Sequence, residues 1–256
     1  MDTIPNLHGG PPVVAQAIVE LKGVHKRHGL GLSGVQALHD IDLTLAQGEM
    51  VAICGPSGSG KTSLLNIIGM LDTASEGSVV IGRLLVSQMP DQARTDLRSD
   101  MIGFVFQSFS LIPVMTAHEN VLLPLMLRGH LDEAALEAAE QRAADLLSRL
   151  GLATQMRHYP ARLDPSQSQR VAIARALVTH PRLVVADEPT SRLDNGCVRL
   201  VMDLFARFQY EHGTGFVIST RDQRQFSRVN RTLQLNEGRL SATPTEARRR
   251  PLRVQV

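Results

Sequence analysis

Apolar and polar side chains alternate over residues 17–24 and again over 36–45, the period of two expected of half-buried strands. Residues 50–54, 102–106, 182–186 and 215–219 are instead short, almost unbroken apolar runs. Such runs suit strands covered on both faces of a parallel sheet. Residues 77–86 read as a hairpin and 232–235 as a last strand. Helical spacing alternates with these segments: after residue 61, over 91–100, from Thr116, from Asp132, and over 195–212. Thr116 and Glu119 form a T-x-x-E capping box. Ala135, Leu136, Ala139, Ala143, Leu146, Leu147 and Leu150 lie along one stripe that Gly151 closes. Strand-helix alternation predicts an α/β fold. Residues 108–179 carry no strand signal, which predicts a helical subdomain inserted in the sheet domain, with a face for a partner.

The chain of 256 residues is long enough for one large α/β domain carrying such an insertion. A formal charge of only +2, no Trp and two Tyr argue against a nucleic-acid partner, since neither a basic field nor a stacking platform is present. No run approaches the roughly 18 consecutive apolar residues of a membrane span. Residues 1–12, rich in Pro and Gly, read as a disordered leader, leaving 13–240 as one domain. Residues 241–256 read as a basic tail with Arg248, Arg249, Arg250 and Arg253. Cys54 and Cys197, in a chain without a signal peptide, read as reduced cytosolic thiols.

The chemistry starts at Gly55, Pro56, Ser57, Gly58, Ser59, Gly60, Lys61, Thr62 and Ser63, a G-x-x-x-x-G-K-T loop between an apolar strand and a helix. Its glycines let successive N–H groups and a helix start converge on a phosphate. Lys61 is suited to neutralising the β- and γ-phosphates of ATP, and Thr62 to holding Mg²⁺. Gln107, at the end of a buried strand, reaches a metal or water in the sheet crevice, or is a solvated strand end. Asp187 and Glu188 end another apolar run, level with the phosphate loop of a parallel sheet. Asp187 suits Mg²⁺, and Glu188 suits the attacking water. His28, before the glycine-rich loop 29–34, lies against a base or is a loop residue.

With these pieces in this order, the chain resembles the nucleotide-binding subunits of ATP-binding-cassette transporters, especially the ATPases of lipoprotein-releasing and macrolide-export systems. The likeness runs from about Val19 to Leu240. It rests on the phosphate loop, Phe104 to Gln107, Gln169 to Leu177, Ala186 to Thr190, and Leu193 with Asp194. The resemblance implies a P-loop NTPase with a RecA-like sheet core, an antiparallel β subdomain and an inserted α-helical subdomain. It implies ATP hydrolysis with Gln107, Glu188 and the residue at 221 acting in catalysis, and Mg²⁺ held by Thr62, Gln107 and Asp187. It places His28 at the adenine and Asp194 in a dimer-interface loop. The helical part beyond Gln107, residues 108–128, would dock on a separate membrane permease at the cytoplasmic face of the inner membrane. Two ATP-binding subunits would pair head to tail over two ATPs. Soluble cassettes of translation or DNA repair are disfavoured, because one cassette is present and a long coiled-coil insertion is not.

Three positions depart from the family pattern. The signature Leu-Ser-Gly-Gly-Gln stands as Leu163-Asp164-Pro165-Ser166-Gln167. Asp164, Ser166 and Gln167 would face the ATP of the second subunit, yet Asp164 is acceptor-only, and the segment reads as a helix start capped by its own side chains. Arg221 replaces the switch histidine; it attracts phosphate but accepts no hydrogen bond. His28 replaces an aromatic residue. One expectation is that Arg221 pairs with Asp164 across the dimer; the alternative is independent drift. The complete set Lys61, Thr62, Gln107, Asp187 and Glu188 favours an ATPase motor, and Asp164, Pro165 and Arg221 favour a slow or non-hydrolysing nucleotide-holding subunit.

Overall fold

The computed structural model describes residues 16–29, 34–129, 131–221 and 227–242. The expected leader 1–12, most of the 29–34 loop, Asp222 and the tail arginines lie outside the described residues.

In chain order the strands are β1 (Ala17–His28), β2 (Val35–Ala46), β3 (Met50–Cys54), β4 (Glu76–Ile81), β5 (Leu84–Leu85), β6 (Ile102–Val105), β7 (Leu183–Asp187), β8 (Gly215–Thr220), β9 (Arg231–Asn236) and β10 (Arg239–Ala242). The helices are α1 (Lys61–Ile68), α2 (Asp91–Met101), α3 (Ala117–Met126), α4 (Glu133–Arg149), α5 (Pro165–Leu177) and α6 (Asn195–His212). Strands β2-β1-β4-β5 make an antiparallel sheet, and β10-β9-β3-β8-β7-β6 a second sheet, parallel except at its β10 edge.

Period-two geometry gives the second sheet two buried faces. Val51, Ile53, Leu183, Val185 and Val217 point into a core shared with α1 and the antiparallel sheet. Their neighbours Met50, Val184, Ala186, Phe216 and Ile218 point into a core shared with α3 to α6, where Phe205 stacks on Phe216 at 4.7 Å. This is why the strands read as continuous apolar runs. All of them end at the same edge, which collects the loops that follow β3, β6, β7 and β8.

Between β6 and β7 the described residues hold helices and no strand, and α3 packs on α4 and α5. The Thr116–Glu119 capping box forms, and Asp132 caps α4 through the amide of Ala135 at 2.8 Å. Fully buried Asn120 ties the preceding loop to α3 by accepting from Ile112 N and donating to the carbonyls of Ile112, Met115 and Thr116.

Three boundaries differ from the pattern. Strand β1 runs on through Lys26 to His28, because Lys26 is buried against Asp72 at 2.6 Å and so occupies a strand position despite its charge. Strand β6 stops at Val105, so Gln107 lies beyond it. Residues from Arg239 form β10, joined to β9 by a turn with Glu237 and Gly238 both at positive φ.

At the far end of the sheet, the His180 ring stacks on His212 at 4.1 Å, and its pKa is pushed down to about 4 by burial, then by His212 and Arg142. A histidine depressed in the folded state contributes stability above the unfolded value of 6.5 that is lost as pH falls towards 4, because only the unfolded chain then takes up the proton. We expect His180→Asn, which tolerates the φ of 49° there, to lose less melting temperature than the parent between pH 7 and pH 5. Parallel losses in thermal melts would remove His180 as the cause.

Candidate active site

The phosphate loop leaves β3 and turns into α1 at Gly60, whose φ of 101° belongs to the left-handed region. A Cβ there would lie 2.5 Å from the carbonyl oxygen of Ala37, so glycine is required for space as well as conformation. Lys61 is 7% exposed, and its Nζ donates to the carbonyls of Gly55 (2.9 Å) and Pro56 (2.7 Å). Burial lowers its pKa, and the positive charge of Arg221 lowers it further, against the opposing pull of Glu188 and Asp187. Ser59 Oγ is buried without a partner among the described residues. Pro56, Ser57 and Gly58 are exposed at the tip of the loop. His28, at the end of β1, meets Ser63 Oγ at 3.0 Å, so the antiparallel sheet delivers an imidazole to the rim of the loop. Cys54, just before Gly55, is a free thiol whose pKa burial pushes up to about 11, which keeps it protonated and unreactive.

Asp187 and Glu188 arrive from β7. Thr62 Oγ1 donates to Asp187 Oδ2 at 2.9 Å, bringing a hydroxyl and a carboxylate oxygen to one point beside the start of α1. Glu188 adopts φ 48°, a left-handed conformation that costs a non-glycine residue roughly 1–2 kcal/mol. Both carboxylate oxygens of Glu188 are engaged: Gln107 Nε2 donates to Oε2 at 3.3 Å and Arg221 Nε to Oε1 at 2.7 Å. Gln107 is therefore a cleft residue rather than only a solvated strand end. A cleft of about 620 Å³ opens here, lined by Thr62, Asn66, Gln107, Asp187 and Arg192.

Fully buried Ser219 was not singled out from sequence, yet it joins the two acids. Its hydroxyl donates to Asp187 Oδ1 at 2.5 Å and accepts from Glu188 N at 2.9 Å. The register Asp187↔Ser219 creates this contact; the available signal was a polar residue closing an apolar strand.

The remaining candidates stand apart. Asp164 Oδ1 accepts from Gln167 N at 2.8 Å, while Gln167 Oε1 accepts from Asp164 N at 3.0 Å, a closed capping box at the start of α5. Pro165 has no N–H, so this helix start offers few free donors. Ser166 Oγ is buried without a partner among the described residues. Asp194 caps α6 through Cys197 N at 2.8 Å, and that bond foremost lowers its pKa. Arg221, expected to face Asp164 of a second subunit, is engaged by Glu188 of its own chain.

The donor set matches a nucleoside triphosphate with a divalent cation. A helix start, a buried lysine and left-handed glycines suit phosphate. A lone carboxylate beside a hydroxyl suits a cation that shares phosphate oxygens; among the described residues no three His, Cys, Asp or Glu side chains cluster to hold a metal alone. A family profile described as ABC transporter matches residues 38–191. The chain belongs to the ABC transporter family. The ATP-binding protein LolD of the lipoprotein-releasing system of Legionella pneumophila (strain Paris) is 40% identical over 225 residues, covering 88% of this chain and 97% of that protein. LolD of Anaeromyxobacter dehalogenans (strain 2CP-C) is 42% identical over 230 residues, covering 90% and 95%. The dimeric post-hydrolysis structure of the ATP-binding cassette MJ0796 bound to ADP and Pi superposes with a TM-score of 0.81 at 39% identity, covering 88% of this chain and 98% of that one. This ABC transporter chain is accordingly an ATP-binding subunit with ATPase chemistry and the expected P-loop α/β fold. No helix among its described residues is long and apolar enough to cross a membrane.

Proposed function

We propose that this chain energises a transporter whose cargo path lies in separate membrane permease subunits, reached from the cytoplasmic face, and that it works as one of a pair of ATP-binding subunits. The observation that carries the reading is a cleft lined by Thr62, Gln107 and Asp187, with Thr62 bonded to Asp187 and Gln107 to Glu188. In this reading the amides of residues 55–63 and Lys61 bind the phosphates, and His28 lies beside the adenine. Thr62, Asp187 and Gln107 hold Mg²⁺, which when bound neutralises charge on the phosphate oxygens. Glu188 accepts a proton from the attacking water, with Gln107 orienting its carboxylate. Asp164, Ser166, Gln167 and Asp194 face the second subunit. The lipoprotein-releasing activity named for the relatives supports a lipid-anchored cargo.

Helices α3 to α5, within residues 108–179, supply the docking subdomain. A groove of about 340 Å³ between β6 and α3 is lined by Phe104, Phe106, Leu123, Pro124 and Leu127. Leu127 in its lining is 75% exposed, and Val114, in the loop before α3, is 81% exposed, apolar surface that a partner would cover. With a permease that co-purifies with the chain co-expressed, we expect Leu127→Asp to move the chain from the membrane fraction to the supernatant, with ATP affinity within about twofold of the parent. Retention on the membrane would count against this groove, and failure of the parent chain to reach the membrane would count against the permease.

A further inference from the structure

Arg192 lines the cleft with Gln107 and Asp187, and the site needs it neither for the phosphates nor for the water. It lies in the turn that follows β7, where Ser191 N donates to the Glu188 carbonyl at 3.2 Å and Leu193 N to the Thr190 carbonyl at 3.1 Å. Among the described residues the guanidinium forms no ion pair. Its Cζ instead lies 5.4 Å from the centroid of the Phe109 ring, within the range of a cation–π contact. Phe109 belongs to the turn after β6, two residues beyond Gln107. The contact therefore joins the segment that carries Glu188 to the segment that carries Gln107.

The turn after β6 needs such a tie. Phe109 and Ser110 both adopt left-handed backbone, φ 62° and 50°, a conformation that non-glycine residues keep only where their surroundings hold them. From behind, Arg175 of α5 donates to the carbonyls of Phe109 at 2.7 Å and Ser110 at 2.6 Å, which fixes the backbone. In front, exposed Gln107 reaches Glu188 through a bond of 3.3 Å, beyond the usual N–H···O range. The Phe109 ring is the second link between the two turns.

We propose that Arg192 is a positioning residue for Gln107: its guanidinium, laid on the Phe109 ring, fixes the turn after β6 against the turn after β7 and so sets where the Gln107 amide meets Glu188. This rests on the reading of Gln107 as a member of the ATPase site. Arginine suits the role because its planar, permanently charged guanidinium stacks on an aromatic face, whereas a lysine ammonium offers the charge without the plane. A neutral side chain of similar length offers no charge. Arg175 and Arg192 act on different parts of Phe109, its carbonyl and its ring. Removing Arg192 therefore leaves the backbone anchored and loosens Gln107 without unfolding the turn. Both residues belong to one chain, so the contact needs no second subunit.

The chain has no Trp, so Phe109→Trp places a single indole at this contact, and indole is the best aromatic partner for a cation. In the purified full-length chain without nucleotide, adding Arg192→Gln to Phe109→Trp should uncover the ring and raise acrylamide quenching of its emission about twofold. An unaltered quenching constant would overturn the proposal. With Phe109 in place, Arg192→Gln should lower kcat for ATP about threefold, the size expected for loss of one exposed cation–π contact. KM for ATP should stay within about twofold of the parent, because the phosphate loop keeps its own contacts. Arg192→Lys, which keeps the charge, should recover part of the loss. In a Gln107→Ala background Arg192→Gln should cost nothing further, since the group it positions is gone. An equal loss with and without Gln107 would overturn the proposal, because Arg192 would then act on another part of the site. Gln107→Ala with the turnover of the parent would overturn the reading of Gln107 as a site residue and the proposal with it, whereas an indole blind to Arg192 overturns the proposal alone. Thermal melts of each variant separate a lost fold from a lost contact.

Discussion

Glu188→Gln should lower steady-state ATP turnover by at least about 10²-fold, the lower bound usual for loss of a general base. The substitution is nearly isosteric, so Ser219 can still hold the backbone of residue 188 and the φ of 48° is not disturbed. The amide oxygen can still accept from Gln107 or Arg221, but the side chain no longer takes a proton. Nucleotide binding should persist, because Lys61, Thr62 and Asp187 form a separate set of contacts around the loop. The measurement is phosphate release by parent and variant at saturating ATP, with binding measured in parallel. Turnover within tenfold of the parent would mean that Glu188 does not take the water's proton. Turnover at background in the parent itself would instead mean that the chain holds nucleotide without driving transport.

How far this site could be read from sequence depends on whether each contact is local or set by strand register. The phosphate loop, the acids closing β7 and the box Asp164–Gln167 are made by neighbours in the chain, and their patterns state the geometry directly. Ser219 is different: its value lies in facing Asp187 across a parallel pair, and nothing in the residues around it names that partner. The pairing of Arg221 with Glu188 spans 33 residues and is legible only once β7 and β8 are known to be adjacent. Similar reasons explain the fold boundaries. Lys26 looks like the end of a strand until Asp72 is placed beside it. The β9–β10 hairpin hides behind Glu237, which adopts a conformation more usual for Asn, while Gly238 fits because a Cβ there would meet the Ala37 carbonyl oxygen at 2.7 Å.

Restoring donors at the start of α5 should strengthen ATP-dependent pairing of two chains at least about tenfold. In the proposed dimer this helix start faces the second nucleotide, yet its exposed carboxylate is acceptor-only and the amides of Asp164 and Gln167 are already bonded. A carboxylate about 4 Å from a phosphate charge is repelled by roughly 4 kcal/mol per charge pair at an effective dielectric near 20. Asp164→Ser keeps an N-cap of similar strength and adds a hydroxyl donor; Pro165→Gly adds an N–H at a cost of at most about 1 kcal/mol in helix stability. The electrostatic gain exceeds that cost even if solvent screens half of it. The double substitution, made with Glu188→Gln so that ATP is not consumed, should shift the monomer-dimer equilibrium in sedimentation towards dimer with ATP and leave it unmoved with ADP. Unchanged dimerisation would place α5 away from the partner's phosphates. A gain with ADP as large as with ATP would show that the helix start meets protein rather than the terminal phosphate, since the two nucleotides differ only there.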